Sequence, residues 1–173
     1  MATKRYTLSI FTENSPGVLQ RITIMFTRRK LNIDSVTVSE TERRGVSRFT
    51  IVLEVDGALI QKIAKQIRRI IEVLHVDVFE EHEIIAKELA FIRVEPVNDA
   101  EREEILAIVQ QTEARIIKDE EQNIVLEFSG TREETDALCD HLTPFRLTEF
   151  VRSGRIAIPK KGVTHEEAIR LAV

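Results

Sequence analysis

The first hydrophobic pattern in the chain is an alternation that is typical of a β-strand. Over residues 5–12, Tyr6, Leu8 and Ile10 alternate with Thr7, Ser9 and Phe11. The spacing then becomes helical, because apolar side chains recur on one face of residues 17–30, namely Val18, Ile22, Met25 and Phe26. We expect Ser15 to be the N-cap of this helix and Pro16 to be its first residue.

A hairpin, a second helix and a closing strand are predicted next. SVTVSE and SRFTIVLEV flank the polar turn ERRG, and alternation gives the second of these strands one apolar face: Phe49, Ile51, Leu53 and Val55. A second helical stripe consists of Leu59, Ile63, Ile67, Ile70 and Ile71. VLHVDVFE predicts a strand with Leu74, Val76 and Val78 directed inward. The predicted order is βαββαβ.

The same order recurs in the second half of the chain. LAFIRVE predicts a strand, and residues 99–112 a helix whose apolar face is Ile105, Ile108, Val109 and Thr112. ARIIKD and NIVLEFS predict a hairpin, and RLTEFVRSGRIAI predicts one or two strands. Between them, Thr131 and Glu134 have capping-box spacing before a helix with Leu138 and Leu142.

Two such modules predict an α+β fold: two ferredoxin-like βαββαβ modules, each an antiparallel four-stranded sheet with helices on one face. The polar stretch EEHEIIAKE marks their boundary. We expect a first domain over residues 1–83, which binds an effector and dimerises, a second over 84–162, and a tail over 163–173. Uncovered sheet edges favour oligomerisation.

Charge and composition narrow the classes of function. The net charge is -4, which argues against a protein that depends on phosphate contacts with nucleic acid. RNA-recognition modules share the βαββαβ order, but they stack bases on aromatic central strands, and the third strand here offers Phe49 alone. The single cysteine, the absence of a long apolar run and the polar start predict a cytoplasmic protein without a membrane span.

No catalytic or metal-binding constellation is recognisable in the sequence. The four histidines, His75, His82, His141 and His165, have no spacing that suits a metal. Cys139 is expected to be a helix residue without chemistry. Paired acids such as Glu103 and Glu104 fall in predicted first helical turns, where the helix dipole favours them. We therefore expect no catalytic residues and no metal.

The stretch NSPG, residues 14–17, has two interpretations. It is a capped turn that only starts a helix, or it is half of a ligand site. A helix N-terminus attracts a carboxylate, Gly17 leaves the backbone open, and Asn14 offers a donor and an acceptor. Asn32 follows the other end of the helix, where carbonyl groups favour an ammonium group. The two ends are about 20 Å apart, so a free amino acid would need two chains arranged about a two-fold axis.

The stretch ENSPGVLQRITIMFTRRKLNIDSVTV resembles the signature of an ACT domain, an amino-acid-sensing module. It is closer still to the small regulatory subunit of acetolactate synthase (acetohydroxyacid synthase). The pattern N-x-x-G-[VA]-L is present as Asn14, Gly17, Val18 and Leu19, and N-I-[DE]-S-[LV]-T-V as residues 32–38. VRSGRIAIPKKG, residues 151–162, is similar to the terminal motif of that family. The resemblance covers residues 5–162.

This resemblance implies a subunit without a catalytic centre. It would activate a separate large subunit, which uses thiamine diphosphate, Mg2+ and usually FAD, and would make it sensitive to a branched-chain amino acid, most often valine. Asn14 and Gly17 of one chain and Asn32 and Ile33 of its partner would contact the effector, and Val18 and Leu19 would line its apolar pocket. The alternative is a stand-alone ACT sensor that is coupled to another enzyme.

Overall fold

A computed structural model describes residues 3–162 of the chain. By their contacts, the residues form two compact units. Among the described residues, the first contains 3–85 together with 155–162, and the second is Ala86–Gly154. We expected residues 84–162 to form the second domain, so the placement of residues 155–162 with the first unit is a difference from the expected division.

The first unit has the predicted order of elements. They are β1 (Lys4–Glu13), α1 (Val18–Thr27), β2 (Ser35–Glu40), β3 (Val46–Val55), α2 (Gly57–Ile67) and β4 (Val73–Glu80). The strands form an antiparallel sheet in the order β2-β3-β1-β4. A single 3-10 turn, Glu81–Glu83, follows β4.

The second half of the chain repeats this order. Its elements are β5 (Ile84–Val94), α3 (Asp99–Gln110), β6 (Arg115–Glu120), β7 (Asn123–Gly130), α4 (Arg132–Leu142) and β8 (Leu147–Arg152). The sheet order β6-β7-β5-β8 corresponds to that of the first sheet, and a ninth strand, β9 (Ile156–Pro159), also pairs with β5. The predicted fold, two ferredoxin-like βαββαβ modules, is confirmed, except that the second sheet has five strands and not the expected four.

The core of the first unit lies between its sheet and its two helices. Alternation predicted the sheet side correctly, since one face of β1 and one face of β3 are buried there: Tyr6, Leu8, Ile10, Phe49, Ile51, Leu53 and Val55. The helices contribute Val18, Ile22 and Phe26 from α1 and Ile60, Ile63, Ala64 and Ile67 from α2. At about 25 cal/mol per Å2 of buried apolar surface, such a cluster is the main source of stability.

Two core predictions for the first unit are wrong. Ile71 is 92% exposed, because α2 ends at Ile67 and the helical stripe does not continue beyond it. Leu74 packs against Phe11 on the opposite face of the sheet. The pairing of β1 with β4 shifts register between Phe11 and Thr12, and a bulge of this kind redirects the side chains beside it.

The second unit has its own core and its own helix cap. Its centre consists of Ile92, Val94, Ile105, Val109, Ile124, Leu126, Phe128, Leu138 and Leu142. The predicted capping box is confirmed, because the Thr131 backbone N–H donates to Glu134 at 2.7 Å and the Glu134 N–H donates to the Thr131 hydroxyl at 3.2 Å. Thr112 lies beyond the end of α3 at Gln110, so its prediction as a helix-face residue is wrong.

The face of the first sheet that lies opposite its helices has buried polar residues, Thr7, Ser9 and Thr50, beside the small apolar cluster around Phe11. Residues 155–159 lie across this face. We call these residues the return segment. The backbone of Arg155 receives a hydrogen bond from the Thr37 hydroxyl at 2.8 Å and donates one to the Ser35 hydroxyl at 3.2 Å. The Arg48 guanidinium donates to the carbonyl oxygen of Ala157 at 2.6 Å. The return segment thus binds β2 and β3 through polar groups of both strands.

The side chain of Arg155 is buried in this contact. It donates to the Thr7 hydroxyl at 3.2 Å and to the Glu81 carboxylate at 2.5 Å. Only 6% of the residue is exposed. A buried guanidinium needs such partners, because burying an unpaired charge is costly.

Replacing Arg155 should destabilise the first unit. Arg155→Met keeps the length of the side chain but removes both hydrogen bonds, and we expect a loss of about 1–2 kcal/mol in the free energy of unfolding. The chain has one tyrosine and no tryptophan, and Tyr6 lies in the first core. Urea unfolding followed by Tyr6 fluorescence therefore reports on this unit. Lys4→Met, which removes an exposed ion pair with Glu80, is the control and should cost less than about 0.5 kcal/mol. Equal losses in both variants would contradict the assignment.

Candidate functional site

The turn before α1 differs from the prediction. Neither Ser15 nor Pro16 begins the helix, because α1 starts at Val18 and Gly17 occupies the N-cap position. Gly17 has φ 83° and ψ -4°, which are the dihedral angles of the third residue of a type II turn, where proline is common just before. Pro16-Gly17 therefore forms a turn that leads into the helix. The turn is held by the Asn14 N–H, which donates to the carbonyl oxygen of Gly45 at 2.8 Å.

The N-terminus of α1 has no side-chain cap. The other three helices among the described residues are capped by Asp56, Asn98 and Thr131. The first turn of α1 also contains no acidic residue. Its free N–H groups and its partial positive charge are therefore available to an anion.

Gly17 keeps the approach to these N–H groups open. A Cβ atom at this position would have no heavy atom within 4 Å, so the space beside Gly17 is solvent. The side chain of Asn14 is exposed and makes no hydrogen bond with another group in the described part of the chain. An incoming carboxylate would meet backbone donors, with an amide side chain nearby.

The other end of α1 is closed by its own backbone. Lys30 has φ 54°, and its N–H donates to the carbonyl oxygen of Thr27 at 2.9 Å, while the Leu31 N–H donates to that of Phe26 at 3.2 Å. This pair of bonds is a Schellman motif. It turns the chain so that Asn32 is exposed and Ile33 packs against the first core.

The six predicted site residues fall into two groups at opposite ends of α1. Asn14, Gly17, Val18 and Leu19 lie at the N-terminal end, and Asn32 and Ile33 follow the C-terminal end. The helix has 10 residues and is about 15 Å long, so one chain does not bring the groups together around one amino acid. Val18 is buried in the core and Leu19 is 45% exposed, so of these two only Leu19 offers a free apolar surface.

An apolar edge adjoins these residues. β2 pairs with β3, and no other described strand pairs with it. Val36 and Val38 are opposite the core residues Ile51 and Phe49, yet they are 38% and 45% exposed. An edge strand with exposed valines is suited to pairing with another chain.

The other candidate groups do not assemble into a reactive centre. His75 is 2.9 Å from Asp77, and His82 is 3.8 Å from Glu80. The described residues contain no cluster of three histidine, cysteine or acidic side chains that could hold a metal, and His165 lies outside them. Burial raises the pKa of the Cys139 thiol, which lowers its thiolate fraction at neutral pH. Within residues 3–162, no helix has both the length and the apolar character that crossing a bilayer requires.

The RSG motif, residues 152–154, has a structural role in the second unit. Arg152 lies 3.2 Å from the buried carboxylate of Glu88 and also pairs with Asp136. The Ser153 N–H donates to the carbonyl oxygen of Leu89 at 2.9 Å, and the Ser153 hydroxyl accepts from the Leu89 N–H at 3.0 Å. Gly154 has φ 80°. The motif therefore ties the end of β8 to β5 and then turns the chain.

Sequence reasoning did not find the partners of these arginines. Arg155 and Arg152 contact residues that are distant in the chain, and neither the spacing nor the composition indicates which ones. The only signal was the motif itself, a glycine between two arginines immediately before a short apolar strand.

Removing Arg152 should leave Glu88 buried and unpaired. We expect Arg152→Met to lower the protection of β5 amides in hydrogen exchange by about 2–3 kcal/mol, below the full cost of breaking a buried pair, since Arg152 is partly exposed. Combining it with Glu88→Gln should restore at least half of that protection, because a neutral amide costs less to bury than a carboxylate. A double variant no better protected than the single one would contradict this role for the pair.

Comparison with known proteins covers both units. Residues 8–75 match the family described as AHAS small subunit-like ACT domain, and residues 87–161 match the family described as small subunit of acetolactate synthase. The acetolactate synthase small subunit of Mycolicibacterium smegmatis is 33% identical over 158 residues, which are 91% of this chain and 92% of that protein. The Bacillus subtilis protein of the same name is 34% identical over 154 residues, 88% of this chain and 89% of that one.

A solved structure is similar to this chain over nearly the whole length of both. The crystal structure of the acetolactate synthase small subunit from Thermotoga maritima superposes with a TM-score of 0.83 at 29% sequence identity. The match covers 92% of this chain and 99% of the Thermotoga maritima chain.

Proposed function

We propose a function that starts from one premise: the chain belongs to the family of acetolactate synthase small subunits. In this proposal it is a non-catalytic regulatory subunit that activates a catalytic large subunit and makes it subject to feedback inhibition by a branched-chain amino acid, with valine as the first candidate. The chemistry and its cofactors, thiamine diphosphate, Mg2+ and FAD, reside in the large subunit. The single cysteine is consistent with the reducing cytoplasm in which we place the complex.

The observation that carries the effector site is the uncapped N-terminus of α1. A free amino acid has a carboxylate, an ammonium group and a side chain. The N–H groups beyond Gly17 would receive the carboxylate, since they have no cap and no acidic neighbour in the first turn. Asn14 would donate a further hydrogen bond. The exposed surface of Leu19 would meet an aliphatic side chain.

The ammonium partner would come from a second copy of the chain. Antiparallel pairing of β2 with its two-fold mate would cover the exposed faces of Val36 and Val38. It would also bring Asn32 and Ile33 of the partner chain to the N-terminal end of α1. A symmetric dimer then has two equivalent sites, each shared by two chains.

A shared site gives the effector a means of regulation. A ligand that contacts both chains binds one arrangement of the interface better than others, and it shifts the population toward that arrangement. A large subunit that is attached to the same dimer experiences that shift as a change in its own binding or activity.

The regulatory assignment is tested by reconstitution. The pure chain, supplied with pyruvate, thiamine diphosphate, Mg2+ and FAD, should form no acetolactate, because its chemistry would come from the large subunit. Adding it to the large subunit should raise the rate of acetolactate formation, and valine should then lower that rate. Acetolactate formation by the chain alone would contradict the proposal.

The effector site is tested by a matched pair of substitutions. Gly17→Asp and Gly17→Asn are nearly equal in size, and asparagine and aspartate both tolerate a positive φ better than other residues. Only the aspartate places a negative charge at the carboxylate site. We expect Gly17→Asp to weaken valine binding at least tenfold more than Gly17→Asn, about 1.4 kcal/mol, in calorimetry. Similar affinities in the two variants would show that no carboxylate binds at this helix end.

Mixed dimers test whether two chains share the site. Asn32→Ala should weaken the ammonium side. A heterodimer of Gly17→Asp and Asn32→Ala chains should have one intact site and one doubly damaged site, whereas neither homodimer should have an intact site. Two equally weakened sites in the heterodimer would mean that each site lies within one chain.

A further inference from the structure

A groove opens between the C-terminal ends of α1 and α2 in the first unit. Its volume is ≈ 490 Å3, and its described lining is Met25, Arg28, Arg29, Gln66, Arg69 and Ile70. Three of these six side chains are cationic and none is acidic. The apolar walls are Met25 and Ile70, which pack against the edge of the first core.

The arginines of this region do two different things. Arg29 is fixed in place, because it donates to the carbonyl oxygen of Met25 at 2.7 Å and to the side chain of Gln66 at 2.5 Å. Arg68 donates to the carbonyl oxygen of Val76 at 2.6 Å. In contrast, the side chains of Arg28 and Arg69 make no hydrogen bond or ion pair with any residue that the structure describes. The groove therefore has two unpaired guanidinium groups beside one that is held.

Further unpaired cations lie close in sequence to the residues that line the groove. Lys30, Lys62 and Lys65 are exposed, and none of them pairs with an acidic group in residues 3–162. Elsewhere in the same unit, cations do pair: Lys4 with Glu80, Arg5 with Glu54 and Arg21 with Glu72. We call Arg28, Lys30, Lys62, Lys65 and Arg69, with the groove, the basic groove region.

Helix dipoles explain only part of this concentration of charge. The C-terminal end of a helix favours a cation, and Arg29 donates to the carbonyl oxygen of Met25 near the end of α1. Arg68 donates instead to a carbonyl oxygen of β4. Lys62 lies in the middle of α2, which runs from Gly57 to Ile67, where the dipole has little effect. Positive charge without acidic partners, in a chain whose net charge is -4, is suited to an anionic surface of another molecule.

We propose that the basic groove region binds an acidic segment of the catalytic large subunit. The identity of this partner rests on the proposed function. The groove indicates which surface of this chain the partner contacts. The spacing favours a segment over a small anion, because Lys62 lies within α2 and Arg69 lies two residues beyond its end, a separation of about 10 Å at helical rise. Arg28 and Arg69 would pair with carboxylates in bidentate geometry, while Met25 and Ile70 would contact an apolar side chain next to them.

The proposal predicts association that depends on charge. We compare the unmodified chain, the double variant Arg28→Gln/Arg69→Gln and the control Arg44→Gln, all at full length. Arg44 is an exposed arginine of the β2–β3 turn, in the same unit but outside the basic groove region. The measurement is the concentration of each chain that half-activates the large subunit, at low and at high sodium chloride.

At low salt, the double variant should need at least a tenfold higher concentration than the unmodified chain, and Arg44→Gln less than a twofold higher one. High salt should raise the half-activating concentration of the unmodified chain more than that of the double variant, since salt screens exposed charges. Valine binding to the isolated dimer should be the same in all three chains, because none of Arg28, Arg44 and Arg69 is a proposed contact of the effector.

Other results would overturn the proposal, and they differ from a failure of the proposed function. If all three chains half-activate at the same concentration, the basic groove region does not contact the large subunit. If tripolyphosphate binds the unmodified chain but not the double variant while activation is equal, the groove is a site for a small anion. If the unmodified chain neither binds nor activates the large subunit at any salt concentration, the regulatory function itself is wrong.

Discussion

The pairing of β1 with β3 determines the rest of the first unit. Ten residues of β1 pair with ten of β3, from Lys4 with Val55 to Glu13 with Val46. This register directs one set of side chains into the core and the alternate set to the opposite face. It also places the end of β1 next to Gly45, whose carbonyl oxygen holds the turn before α1. A slip by one residue would exchange the two faces, and with them the core, the return segment and the position of the α1 N-terminus.

The two ends of α1 therefore have different environments and different proposed tasks. The N-terminal end has an open approach at Gly17 and no cap, which suits a carboxylate. The C-terminal end is closed by a Schellman motif at Lys30, and the unpaired arginines lie beside it. In the proposed dimer, Asn32 and Ile33 after this end complete the partner's effector site, so the effector and the large subunit would both contact the region of α1.

Local patterns predicted most of this fold, because a strand or helix that is buried on one face has apolar residues at a regular spacing in the sequence. Phe49 to Val55 follow a period of two and were placed correctly, and so was the capping box at Thr131. The misses have long-range or competing causes. Leu74 changed face because of a bulge that its pairing with β1 creates. Ser15-Pro16 is typical of a helix start, and Pro16-Gly17 is typical of a turn. The two patterns compete for Pro16, and the structure has the turn. The sequence motif named the candidate site residues. Their surroundings could not be predicted, because they depend on tertiary contacts that no local pattern contains.

The return segment has a consequence for how the chain is made. Thr7 and Arg155 are 148 residues apart in sequence, and contacts of such high order form late. While the ribosome is still synthesising the second unit, the sheet of the first has a face without its Arg155 partner, and Ser35 and Thr37 are exposed there. The nascent chain thus completes its first unit only after residues 155–159 have left the ribosome. A gene fragment that ends near residue 83 would encode this incomplete first unit, which lacks the return segment.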